Sequence, residues 1–92
     1  MNALCEAVTI VNQRGLHARA SAKFVNLVTL LPDGIDVKVS KDGSEAAGGS
    51  ILGLMMLGAA RGDEIEITVC GDGAEAALSK LAGLVKDGFG ED

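Results

Sequence analysis

The clearest signal in the chain is a pair of alternating segments. Ile35, Val37 and Val39 interleave with Asp36, Lys38 and Ser40, and Ile65, Ile67 and Val69 interleave with Glu64, Glu66 and Thr68. A period of two places the apolar set on one face, so each segment predicts a half-buried strand. Asp42-Gly43 after the first is a two-residue hairpin signal, and residues 45–47 supply a short return strand. Residues 4–11 also suit a strand. There Glu6 shares parity with Leu4, Val8 and Ile10, which blurs the alternation and predicts an edge position.

Between these strands the period lengthens. Ala20, Phe24, Leu27, Val28 and Leu31 recur at helical spacing until Leu31-Pro32-Asp33-Gly34, where proline can neither donate to the ladder nor clear the preceding turn. Gly48-Gly49 breaks the hairpin, and Ser50 can cap a short helix carrying Ile51, Leu54, Met55 and Leu57. Arg61-Gly62-Asp63 and Gly71-Asp72-Gly73 read as turns. A last helix aligns Ala74, Ala77, Leu78, Leu81 and Val85 and stops at Gly88, while Glu91-Asp92 reads as a mobile tail. The order is βαββαβα. It predicts an α+β fold in which three helices cover one face of a four-stranded antiparallel sheet, as a single domain over residues 1–92.

Composition narrows the function. Of 92 residues 48% are hydrophobic but only 2% aromatic, so the core is aliphatic and offers little for base stacking. A net charge of −5 without a basic stripe argues against nucleic acid as a partner. Cys5 and Cys70 stand far apart without CxxC spacing, which suits small core or strand residues in a reducing compartment better than a zinc site or disulfide scaffold. The start lacks a secretory pattern. The longest charge-free run, residues 46–60, is 15 residues with four glycines, short of the roughly 20 needed to span a bilayer. A cytoplasmic protein is expected, with neither membrane nor cofactor.

One residue invites chemistry. His17 is the only histidine, placed where a glycine-containing loop meets the first helix. The free amides and partial positive charge of a helix start favour a neutral imidazole, and then a phosphate attached to it. Arg19, two residues on, could meet such a phosphate with its guanidinium. Gly15 would permit a positive φ or a partner's close approach. On position and charge alone, a lone histidine of this kind is more often structural than catalytic. Ser21 could face His17 one turn later, but no third residue orients the pair for hydrolysis. His17, Cys5 and Cys70 lack the spacing of a metal site.

The string Gly15-Leu16-His17-Ala18-Arg19-Ala20-Ser21-Ala22 resembles the active-site signature of the HPr family of histidine-containing phosphocarriers and its nitrogen-related relatives. Ser50-Ile51-Leu52-Gly53-Leu54-Met55-Met56-Leu57-Gly58 resembles the second signature of that family, and the end Gly88-Phe89-Gly90-Glu91-Asp92 looks closer to the nitrogen-related branch. The resemblance implies an HPr-like open-faced β-sandwich. It implies that His17 takes a phosphoryl group on Nδ1 from phosphorylated enzyme I of the phosphoenolpyruvate-dependent system, that Arg19 steadies it, and that an EIIA-type protein accepts it. No independent turnover is expected. Docking would use Ala20, Ile51, Leu52 and Met55, and Ser50 matches the serine that HPr kinase/phosphorylase modifies in some members.

Two positions depart from that pattern: Ala20 stands where proline is usual, and Gly49 where sugar-branch relatives often carry lysine. The alternative reading is a noncatalytic regulatory module that docks partners through Ile51, Leu52 and Met55 with His17 inert. A carrier must expose its docking face, so a monomer is expected.

Overall fold

The computed structural model describes residues 3–91. Strand β1 covers Ala3–Thr9, helix α1 Ala18–Thr29, β2 Asp36–Lys41, β3 Ser44–Ala47, α2 Ile51–Met56, β4 Glu64–Cys70 and α3 Ala74–Lys86, with a single 3-10 turn at Gly88–Gly90. The strands form one antiparallel sheet in the order β1-β4-β2-β3. The predicted α+β order βαββαβα is therefore present.

Alternation becomes geometry in the central strands. Val37 and Val39 of β2 lie opposite Val69 and Ile67 of β4, and all four side chains are buried beneath the helices. Their neighbours Asp36, Lys38, Glu64 and Glu66 face outward, leaving that side of the sheet open. Phe24 of α1, Leu54 of α2, and Leu81 and Val85 of α3 close over the apolar side. At the β2–β3 turn Asp42 and Gly43 both take positive φ, at 49° and 86°, which matches the twist a two-residue hairpin needs.

Strand β1 is an edge, and its irregular parity has a physical reason. Glu6 points to the helix side but lies at the margin, where its carboxylate meets Lys86 Nζ of α3 at 2.6 Å. The strand also ends earlier than the apolar run. Ile10 donates to the Asp63 carbonyl and accepts from Gly62 N–H, so it belongs to a turn rather than the ladder. Ile35 likewise precedes β2, its amide held by the Pro32 carbonyl. No helix among the described residues is long and apolar enough to cross a membrane.

Phe24, 1% exposed, is one of two rings in an otherwise aliphatic core. Phe24→Ala should lower the unfolding free energy by about 3–5 kcal/mol in urea titration, through lost burial and the cavity left behind. A loss below about 1 kcal/mol would show that α1 does not depend on this anchor.

Candidate functional site

The loop after β1 is held in place from two sides. Leu16 N–H donates to the Ala59 carbonyl at 3.0 Å, and the buried Asn12 side chain donates to the Gly15 carbonyl at 2.8 Å. Between them Gly15 has φ +64°, and a Cβ there would overlap the Ala59 carbonyl oxygen. The close backbone is thus the chain's own, and no larger residue fits.

This loop delivers His17 to the N-cap of α1. Its Nδ1 accepts a hydrogen bond from Arg19 N–H at 3.3 Å, and its carbonyl takes the Ser21 amide at 2.9 Å. A ring nitrogen that accepts from an amide carries no proton, so the neutral ring is protonated on Nε2. Nε2 lies 2.8 and 3.0 Å from the two carboxylate oxygens of Glu91 and donates to them. The ring retains 14% exposure, so it is neither sealed in the core nor turned from the helix amides.

The surroundings are more basic than the whole molecule. Gln13, Arg14, Arg19, Lys23, Gly90 and Glu91 line a cavity of about 350 Å³ beside the ring. Three of the eight lysines and arginines therefore gather here in a chain of net charge −5. With the first-turn amides of α1, they form a local positive field suited to an anion.

Glu91 corrects the expectation of a mobile tail at that residue; Asp92 lies outside the described residues. Besides His17, its carboxylate accepts from Asn12 Nδ2 at 3.1 Å. Burial works to raise the Glu91 pKa, but hydrogen bonds from Asn12 and His17, with the charges of His17 and Lys23, outweigh it and hold the carboxyl below the ordinary carboxylate range.

Other expected residues fall in two groups. Ser50 caps α2, its Oγ accepting from Gly53 N–H at 2.9 Å, and Ile51, Leu52 and Met55 are exposed beside it. Met56, 77% exposed, extends this apolar patch and escaped the sequence reading. Ala20 is not part of it. Its side chain is fully buried, because the face of α1 that carries Ala20 and Phe24 packs on the core.

Ser21 is also buried and donates to the Leu16 carbonyl, so it does not serve His17. Cys5 is an exposed strand residue rather than a core one. A hydrogen bond with Glu66, burial and the Glu66 charge push its thiol pKa up, the reverse of an activated nucleophile. Among the described residues no group of three His, Cys, Asp or Glu side chains converges to hold a metal ion.

Two outcomes follow from this geometry. Gly15→Ala should cost roughly 2 kcal/mol or more in urea unfolding, since the left-handed backbone alone costs about 1–2 kcal/mol and the overlap adds to it; a change within about 0.5 kcal/mol would contradict the packing. The Glu91 pairing should stabilise the fold above the unfolded-state pKa of Glu91 and fade as pH falls through the lower folded value. Carboxyl-carbon NMR should place the folded midpoint of Glu91 below that of the urea-unfolded chain. A midpoint at or above the unfolded value would contradict it.

Comparison with known proteins gives this arrangement a relationship. The family model described as "PTS HPr component phosphorylation site" matches residues 4–87. The phosphocarrier protein HPr of Neisseria meningitidis is 46% identical over 59 residues, and the match spans 64% of each chain. The phosphocarrier protein NPr of Escherichia coli is 36% identical over 90 residues, covering 95% of this chain and 96% of the relative. The crystal structure of HPr from Thermoanaerobacter tengcongensis superposes with a TM-score of 0.87 at 33% identity, covering 100% of this chain and 99% of the other. A match across nearly the whole length in both sequence and fold places the chain in the HPr family of the phosphotransferase system.

Proposed function

We propose that this protein is a phosphocarrier that accepts a phosphoryl group on Nδ1 of His17 from phosphorylated enzyme I and passes it to an EIIA-type acceptor. The observation that carries this reading is the state of the ring: Nδ1 offers a lone pair at a helix start, Nε2 is occupied by Glu91, and a basic cavity adjoins. The Nδ1 lone pair forms the bond to phosphorus as the donor's bond to phosphorus breaks, the electron pair leaving with the donor. Transfer of this kind depends on alignment and charge neutralisation, which two docked proteins can supply together.

Arg19 is the residue to steady the phosphoryl oxygens, since it lines the cavity and its amide already faces Nδ1. Arg14 and Lys23 contribute to the same field. Donor and acceptor dock in turn on Ile51, Leu52, Met55 and Met56, an exposed apolar cluster of the sort that marks a contact surface. A phosphate on Ser50 would place about two negative charges at the edge of that patch and weaken docking. The carrier works in the cytoplasm as a monomer, with no cofactor of its own.

Incubation with enzyme I, Mg²⁺ and phosphoenolpyruvate should add about 80 Da as one acid-labile group, absent from His17→Ala. Arg19→Met should still reach full modification, at a rate lowered about ten- to a hundredfold. A folded wild-type protein that stays unmodified by cognate enzyme I would favour the noncatalytic docking module instead.

A further inference from the structure

The contact between His17 and Glu91 joins residues 74 positions apart, and several independent features bring it about. Phe89 holds a left-handed backbone at φ 58°, a region bulky residues rarely adopt, while its ring sits 1% exposed in the core. The Lys23 ammonium donates to the Phe89 carbonyl at 2.7 Å, tying the 3-10 turn to α1. Asn12, 1% exposed, uses one amide nitrogen to bridge the Gly15 carbonyl and the Glu91 carboxylate. Both of those partners are acceptors, so the Asn12 amide has a single workable orientation. A backbone held against its local preference and a buried amide thus aim one carboxylate at one ring nitrogen.

We infer that Glu91 is a positioning residue for phosphoryl transfer, holding His17 as the Nε2–H tautomer and balancing the positive charge the ring acquires when Nδ1 bonds to phosphorus. The inference rests on the phosphocarrier reading of His17. As the bond from Nδ1 to phosphorus forms and the donor's bond breaks, the ring gains a positive charge while Nε2 keeps its proton, so no proton has to leave. Glu91 faces that charge at hydrogen-bond distance. When the group is handed on, the electron pair of the bond to phosphorus returns to Nδ1 and the neutral tautomer is restored. Arg14 and Arg19 line the same cavity as Glu91 and are the cations left to meet the phosphoryl oxygens, Lys23 being bonded to the Phe89 carbonyl.

The test compares wild type with Glu91→Ala and Glu91→Gln in steady-state transfer from enzyme I, with folding checked by urea titration. Carboxylates that orient metal-binding histidines are worth about 10–100-fold, and a loss of this order in kcat is expected for Glu91→Ala. KM should hold within about twofold, because the apolar docking patch is untouched. Glu91→Gln keeps an acceptor for Nε2–H without the charge, so it should recover part of the loss. Equal kcat for wild type and both folded variants would overturn the inference and leave the carrier reading intact. A rise in KM alone would also overturn it, assigning Glu91 to docking. A wild type that takes no phosphoryl group would overturn both readings together.

Discussion

The site depends on an imidazole occupying the place where a helix ordinarily takes an oxygen cap. The side-chain caps of α1 and α2 show the difference. Ser50 Oγ receives the Gly53 amide at 2.9 Å and closes the start of α2, whereas His17 Nδ1 receives the Arg19 amide at 3.3 Å. The longer bond orients the ring yet leaves its lone pair weakly engaged. A nucleophile that also caps a helix must give up the cap to react, and a loose cap is cheaply given up. In the proposed phosphocarrier the amides it releases would then face the incoming phosphoryl oxygens, so the same helix start would serve both states.

The rest of the fold makes that compromise stable. The loop carrying His17 cannot relax, because Gly15 is pressed against the Ala59 backbone and Leu16 is bonded to it. On the other side Glu91 reaches the ring from beyond α3, along a segment that Phe89 fixes in the core. The sheet supplies the rigid floor beneath both. The net charge is −5, yet Arg14, Arg19 and Lys23 gather around the one cavity that Glu91 also lines.

Much of this was legible in the sequence. The alternation in β2 and β4 follows from burial on one face, Asp42-Gly43 from hairpin twist, and the cap at Ser50 from backbone hydrogen bonding; each is local, and each is present. His17 and Arg19 stood out by position at a helix start. What escaped was non-local. Glu91 and Asn12 are 79 residues apart and meet only because the chain end folds back beside the first loop, and nothing in the composition of either segment announces it. Glu6 broke the parity of β1 for a similar reason, its partner Lys86 being at the far end of α3. Ala20 was misjudged because a small apolar residue reads alike on a docking face and against a core.

The state of His17 comes down to where one proton sits. Nitrogen NMR of the unphosphorylated protein, correlating both ring nitrogens of His17 with its carbon-bound protons at a pH where the ring is neutral, measures this directly. Nδ1 should be unprotonated and Nε2 protonated. A ring protonated on Nδ1 would contradict it, since that nitrogen could then neither accept the Arg19 amide nor attack phosphorus.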